Sequence, residues 1–175
     1  MAEEFVNKVA KSGLITLDLQ TFHDGSEIVA FDLKDYLFME MILKEKDFRE
    51  ALDQHDWQKY QDKIIAVYCS IDAIVASWAY MLVAAKADGI AKDVIFGTPE
   101  QVRHECYRRE LEQHDWSQYE GKRVLLKGCS EKELPQSVYL LATQKVLPYT
   151  ERLMYGEACS FVPVYRKPKQ KAVSQ

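Results

Sequence analysis

The sequence lacks the short motifs that identify several common enzyme classes. It has 7 glycines and 5 prolines in 175 residues, which leaves little room for a glycine-rich loop that cradles phosphate. Neither a G-x-G-x-x-G motif nor a Walker loop is present. The G-x-S-x-G and H-E-x-x-H patterns are also absent. These absences argue against dinucleotide-binding domains, P-loop enzymes, hydrolases with a nucleophile elbow and zincin proteases.

The chain also lacks a basic character and a long apolar run. Its formal net charge is −4 at pH 7, whereas a general nucleic-acid binder would show a basic face. No run approaches the roughly 18 apolar residues of a membrane span, and the first residues lack the apolar core of a signal peptide. We therefore expect a cytoplasmic protein that binds neither nucleic acid nor membrane, with 4 cysteines that form no disulfides.

Two hexapeptides in the chain are nearly identical. HDWQKY begins at His55 and HDWSQY begins at His114, within segments that match at 8 of 16 aligned positions. A match of this length indicates an internal duplication of a unit of about 60 residues. We predict pseudo-repeat units over about residues 44–102 and 103–162.

The recurring hexapeptide predicts a structural corner in each unit. Asp56 and Asp115 suit the N-cap of a short turn, after which the tryptophan and the tyrosine fold back onto the core. A second hypothesis gives His55 and His114 a paired functional role. We favour the structural role because the hexapeptide recurs together with the unit.

Both units predict the same succession of helices and strands. Short apolar runs are typical of strands buried on both faces, and strands that alternate with helices predict a parallel sheet with right-handed crossovers. The predicted strands are IIAVY and DVIFG in the first unit, and VLL and RLMYG in the second. The predicted helices are Asp35–Gln54, Asp72–Asp88, Pro99–Gln113 and Leu134–Leu147.

The residues before the repeat add one helix and two strands. The helix is predicted over Glu3–Lys11, and the strands are LITLDL and IVAFDL. The HDGSE segment between them carries turn residues, which predicts a hairpin or a sheet edge. The fold class is therefore α/β, a single domain over residues 1–165, with a largely parallel sheet of about six strands and helices on both faces. Residues 166–175 are predicted as a flexible basic tail.

Three of the four cysteines precede a serine, and two of them end equivalent predicted strands. Cys69 follows IIAVY and Cys129 follows VLL. Ligands of open α/β sheets bind beyond the carboxyl ends of the strands. Cys159 follows the last predicted strand and is expected at the same edge, with Asp72 and Glu157 as weaker candidate ligands. A helix that starts directly after the first two cysteines would favour their thiolate forms.

Three hypotheses apply to these cysteines. They pack as small apolar side chains at strand ends, they form a three-thiolate site for zinc or an iron–sulfur cluster, or one is a reactive thiol in catalysis or sulfur transfer. The metal hypothesis lacks a local Cys-x-x-Cys chelate, and the catalytic hypothesis lacks a histidine placed beside the thiol. The fourth cysteine, Cys106, lies in the middle of a predicted helix and is expected to be structural.

Five segments together resemble an uncharacterised bacterial protein family, domain of unknown function 2480. The resemblance covers about Phe5 to Lys167. It implies a cytoplasmic bacterial protein and no catalytic residue, and an association of such genes with iron–sulfur assembly factors slightly favours the metal hypothesis. The segments are FDLKDYLF, LKEKDFRE, CSIDAIVASWAYM, KGCS and YGEACSFVPVYRK.

The sequence thus predicts an accessory factor in iron–sulfur cluster or metal handling, with protein partners in iron–sulfur assembly. Cys69, Cys129 and Cys159 would act as thiolate ligands or sulfur acceptors. One alternative is a non-enzymatic interaction or scaffold domain with structural cysteines. Another is a small-molecule-binding enzyme with a pocket lined by Trp78 and Tyr80.

Overall fold

The computed structural model describes residues 13–128 and 134–168, and its chain divides into two compact units. Asp24–Cys106 forms one of them, which we call the inserted unit. The other, which we call the split unit, combines Met1–His23 with Tyr107–Gln175. The predicted single domain over residues 1–165, with its tail over 166–175, stays a prediction.

The described residues form seven strands and four α-helices. Short 3-10 turns follow the first two strands and precede β3 and β5. In chain order the elements are β1 (Leu14–Leu17), β2 (Ile28–Asp32), α1 (Glu45–Gln54), β3 (Ile64–Tyr68), α2 (Ser77–Ala87), β4 (Asp93–Phe96), α3 (Pro99–Gln113), β5 (Arg123–Lys127), α4 (Gln136–Val146), β6 (Arg152–Glu157) and β7 (Ser160–Arg166).

Most predicted elements are present, with shifted bounds. α3 has the predicted ends, whereas the helix predicted from Asp35 begins only at Glu45. Its first part is a 3-10 turn followed by Met39 and Glu40, whose φ angles of 51° and 57° are incompatible with a right-handed helix. The predicted helix Glu3–Lys11 lies outside the described residues.

The inserted unit is built on a three-stranded parallel sheet in the order β2-β3-β4. Its central strand is buried from Ile64 to Val67, as expected of a strand covered on both faces. α1 and α2 cover one face, with Phe48 and Val83 in the core. The first part of α3 covers the other face through Val102.

The split unit is built on a four-stranded sheet in the order β1-β5-β6-β7. The first three strands are parallel, and β7 returns antiparallel to β6 as an edge strand. Leu111 of α3 and Val138 of α4 pack on one face with Val124 and Leu153. β7 was not predicted, because its residues, SFVPVYR, are exposed at all but one position and include a proline.

The α/β class and the mostly parallel pairing are confirmed, but the described strands form two sheets and not one sheet of about six. Of the predicted alternatives, a hairpin or a sheet edge, LITLDL and IVAFDL form edges: β1 ends one sheet beside β5, and β2 ends the other beside β3. After each strand a carboxylate caps a 3-10 turn, since Asp18 accepts from Gln20 N and Asp32 accepts from Lys34 N, each at 3.0 Å. These turns lead the chain away from a hairpin. In the described ranges no helix has the length and apolar character of a bilayer span.

Candidate functional site

The tryptophan of each hexapeptide is tied to the preceding helix. Trp57 Nε1 donates to the carbonyl of Leu52 at 2.9 Å, and Trp116 Nε1 donates to the carbonyl of Leu111 at 2.8 Å. Trp116 is only 6% exposed, whereas Trp57 is half-buried. The same hydrogen bond therefore closes both corners, but only the second tryptophan is as buried as expected.

The aspartate of each hexapeptide accepts a hydrogen bond from the turn that follows, but only Asp115 stands at the predicted N-cap position, which Trp57 occupies in the first turn. Asp56 Oδ1 accepts from the backbone nitrogen of Gln58 at 3.1 Å. Asp115 Oδ1 accepts from both the backbone nitrogen and the hydroxyl of Ser117, at 3.0 and 2.6 Å. These bonds hold the pKa of Asp115 below its ordinary value. The carboxylates therefore act as structural caps.

The two histidines are engaged inside their own corners. His55 lies between two phenols, with Nδ1 3.1 Å from Tyr36 Oη and Nε2 3.2 Å from Tyr60 Oη. His114 Nε2 lies 2.9 Å from Tyr119 Oη. Burial lowers the pKa of both imidazoles and raises the pKa of Tyr60 to about 12. Each histidine thus makes hydrogen bonds within its own unit, and a paired role for the two stays a hypothesis.

The described cysteines form no disulfide and lie in three different settings. Cys69 is half-buried against the core of the inserted unit. Cys106 lies in α3, where it packs on a small buried cluster with Val102. Cys159 is exposed in the turn between β6 and β7. Cys129 lies outside the described residues.

The described residues do not assemble a metal site. Within residues 13–128 and 134–168, no group of three or more histidine, cysteine, aspartate or glutamate side chains could hold a metal ion. Cys69 and Asp72 belong to the inserted unit, while Cys159 and Glu157 belong to the split unit. The predicted convergence of three thiols also needs Cys129, so it stays a prediction.

Helix activation of the thiols is not supported either. α2 begins at Ser77 and α4 begins at Gln136, with Ala76 and Pro135 at their N-caps. The predicted helix starts directly after the Cys-Ser pairs are therefore wrong for α2 and α4. The positive end of a helix dipole acts only over the first turn, which does not include Cys69.

Asp32 has a role at the carboxyl edge that the sequence did not suggest. Besides its bond from Lys34, its Oδ1 accepts from the backbone nitrogen of Ser70 at 3.1 Å. Burial acts to raise the pKa of Asp32, but hydrogen bonds from Ser70 and Lys34 outweigh burial and hold the pKa below its ordinary value. The serine of the first Cys-Ser pair thus joins the end of β3 to the end of β2.

Trp78 and Tyr80, the predicted pocket residues, are engaged in aromatic packing. The ring of Trp78 lies 6.1 Å from that of Phe48. Tyr80 makes an edge contact with Phe96, with centroids 5.3 Å apart. Both rings pack against the core of the inserted unit.

The inserted unit exposes a hairpin of large apolar side chains. The backbone nitrogen of Phe38 donates to the carbonyl of Ile42 at 2.7 Å, and Ile42 also forms a parallel bridge with Ile74. The exposed fractions are 75% for Met39, 67% for Met41 and 85% for Ile74. We call these five residues the hairpin surface. Monomeric proteins seldom expose apolar side chains together in this way without a binding role.

The hairpin surface was missed because its segment was predicted as part of one amphipathic helix. The seven residues LFMEMIL include six apolar ones, which is more than one stripe of a helix can bury. That density was the available signal. In the structure this segment forms a tight turn at Met39 and Glu40 in place of a helix. Lys44 Nζ lies 3.2 Å from the ring centroid of Phe38.

Comparison with known proteins identifies a family but no activity. A family model described as protein of unknown function (DUF2480) matches residues 3–167. No curated protein and no solved structure matches the chain. The family match includes both units and both hexapeptides.

Proposed function

Since this chain belongs to the DUF2480 family of proteins of unknown function, we propose from its geometry that it is an interaction domain that binds a partner protein through the hairpin surface. The observation that carries the proposal is the exposure of Met39 and Met41 on the hairpin and of Ile74 on the segment that is bridged to Ile42. Methionine is enriched at protein interfaces because its flexible side chain adapts to the partner.

The chemistry of the hairpin surface defines the kind of partner. Its apolar residues are flanked by Glu40 at the tip and Lys44 at the base, so the rim carries both signs of charge. Burial of each large apolar side chain stabilises a complex by roughly 1.5–3 kcal/mol. A protein with a complementary apolar groove is therefore the expected partner, and binding depends on apolar contact more than on charge.

Site-specific photo-crosslinking in growing cells tests this proposal. A photoreactive phenylalanine derivative at position 39 should give one discrete adduct, and Ile74→Asp should abolish that adduct. The matched control places the same derivative at Gln58, which is exposed in the same unit. An adduct of twice the chain mass would identify the partner as a second copy. No adduct, or the same adduct from position 58, would contradict the proposal.

The iron–sulfur or metal-handling role is a separate prediction without a supporting contact in the described residues. Metal analysis and visible absorption of protein purified without oxygen test it directly. Cys69→Ser, Cys129→Ser and Cys159→Ser should each lower bound metal, whereas Cys106→Ser should not. Protein that purifies without metal or cluster would leave the cysteines as packing residues. An iron–sulfur assembly factor as the crosslinked partner would connect the two proposals.

We also infer that the two units descend from one duplicated segment. The strand orders β2-β3-β4 and β1-β5-β6 and the shared hydrogen bonds of the two hexapeptides support this inference. Gly97, which directly follows β4, and Gly156, which lies in β6, also have similar φ angles of 130° and 132°. An experimental structure in which Phe48–Gly97 and Tyr107–Gly156 do not superpose would contradict it.

A cytoplasmic location is likewise our proposal. The lack of a disulfide at Cys69, Cys106 and Cys159 supports it, because thiols persist in a reducing compartment. The net charge of −4 supports the expectation that neither nucleic acid nor an anionic membrane is a partner. Cell fractionation with an antibody against the chain tests the location, and signal in another fraction would contradict it.

A further inference from the structure

Three arginines stand side by side across neighbouring strands of the split unit. Arg123 in β5 is the register partner of Arg152 in β6, and Arg152 is the register partner of Arg166 in β7. We call these three residues the arginine ladder. Like charges directly opposite each other destabilise a sheet, so the ladder costs stability unless an anion neutralises it.

No carboxylate neutralises the ladder within the part of the chain that the structure describes. Two lysines of the split unit do have acidic partners, since Lys127 pairs with Asp18 at 2.8 Å and Lys167 pairs with Glu120 at 3.8 Å. In contrast, the buried Nε of Arg152 has no hydrogen-bond partner. A buried donor without an acceptor is costly, which adds to the cost of placing the three like charges side by side.

The ladder lines a cavity with an apolar wall. Its residues alternate along the strands with the core residues Val124 and Leu153, so they lie on the opposite face of the sheet. The cavity has a volume of about 410 Å³, within the range of roughly 300–1,000 Å³ typical of small-molecule sites. Met154, Phe161 and Pro163 form its apolar wall.

We propose that this cavity binds an organic phosphate monoester with an apolar body. Guanidinium groups match the oxygens of phosphate with paired, charge-assisted hydrogen bonds. Three positive charges suit a phosphate dianion with three terminal oxygens better than a carboxylate with one charge and two oxygens. The apolar wall would contact the remainder of the ligand. The missing glycine-rich loop is no obstacle, because side chains on a sheet supply the donors here.

This site is independent of the hairpin surface, because all its residues belong to the split unit. Loss of partner binding in the hairpin variants would leave phosphate binding unchanged. The two proposals can therefore fail separately.

Titration calorimetry on the full chain tests the site, with phenyl phosphate, inorganic phosphate and benzoate as probes. Phenyl phosphate should bind at one per chain and more tightly than either other probe. Arg152→Gln and Arg166→Gln should each weaken its binding by about tenfold or more. The matched control is Arg103→Gln, which removes the same charge from an exposed position on α3, and it should leave the affinity unchanged.

Thermal unfolding provides a second readout that does not depend on heat of binding. Arg166 is exposed on an edge strand, so Arg166→Gln should fold. Without ligand this variant should melt at or above the wild-type temperature, because one repulsive pair is removed. Phenyl phosphate should raise the melting temperature of the wild type and of Arg103→Gln, but not that of Arg166→Gln.

Several results would overturn the assignment. Absence of both binding heat and thermal shift at millimolar phenyl phosphate would exclude the site, and so would equal weakening by Arg103→Gln. A clear drop in the melting temperature of ligand-free Arg166→Gln would show that the arginine ladder stabilises the fold and is not held at a cost for a ligand. If benzoate binds as tightly as phenyl phosphate, the site does not select a phosphate group. If inorganic phosphate binds as tightly as phenyl phosphate, the apolar body of the ligand contributes nothing.

Discussion

The imidazole Nε2 of His114 lies 2.9 Å from the hydroxyl oxygen of Tyr119, five residues later in the chain. The same relationship joins His55 to Tyr60 at 3.2 Å. Burial lowers the pKa of both imidazoles and so favours their neutral forms. The two histidines that the repeated hexapeptides suggest as a functional pair are parts of two separate structural corners.

The lowered pKa values predict how stability depends on pH. Because both histidines have folded-state pKa values below the ordinary 6.5, the unfolded chain takes up protons first as the pH falls. The contribution of the two histidines to the free energy of unfolding should be largest above pH 6.5. It should decrease as the pH falls below 6.5 and stop decreasing below the folded-state pKa values. Urea unfolding at about pH 7.5 and about pH 5.5 measures the difference.

The double variant His55→Gln/His114→Gln should lose much of that pH dependence. His104→Gln provides the control, because His104 lies in α3 outside both corners. If the double variant and the control show the same pH dependence as the wild type, the histidines do not carry the effect.

Trp116 should contribute more to stability than Trp57. Trp116→Ala removes a nearly buried indole and should cost about 3–5 kcal/mol, whereas Trp57→Ala removes a half-buried one and should cost less. Trp116→Phe keeps most of the packing but loses the hydrogen bond to Leu111, at a cost of about 1 kcal/mol from the bond alone. Chemical denaturation measures all three, and equal losses for both alanine variants would contradict this ranking.

Asp32 should stabilise the inserted unit as an ionised carboxylate. Its side chain is 12% exposed and accepts hydrogen bonds from two backbone nitrogens, so Asp32→Ala should cost about 1–3 kcal/mol. Because its folded-state pKa is lowered, this stabilisation is present at neutral pH and is lost as the pH falls through that pKa. Asp35→Ala, at an exposed neighbour, is the control for denaturant unfolding, and an equal loss there would refute the role.

Gly156 should tolerate alanine less well than its repeat equivalent, Gly97. Both have positive φ angles that strain any other residue. A Cβ at Gly156 would lie 2.6 Å from the carbonyl oxygen of Ser160, whereas at Gly97 the nearest atom, at 3.0 Å, belongs to the movable side chain of Gln101. Thermal unfolding should therefore show the larger loss for Gly156→Ala. Equal losses would mean that the β6–β7 turn adjusts at little cost.

The sequence alone determined the local elements and the family. Short apolar runs marked β3 and β5, because a strand buried on both faces has no polar side to alternate with. The ends of α3 and the cap at Asp115 were equally predictable, since both depend on residues close in the chain. Five segments of the sequence also indicated the family that the match over residues 3–167 confirms.

Tertiary structure decided which strands are neighbours and therefore where the candidate sites lie. The sequence could not separate two sheets from one, because β1 pairs with a strand more than 100 residues later. Nor could it show the arginine ladder, whose members become neighbours only through strand pairing and a register shift between Leu153 and Met154. The hairpin surface likewise required the bridge from Ile42 to Ile74. Local side-chain patterns fix elements, whereas register is fixed by the hydrophobic faces that distant strands bury together.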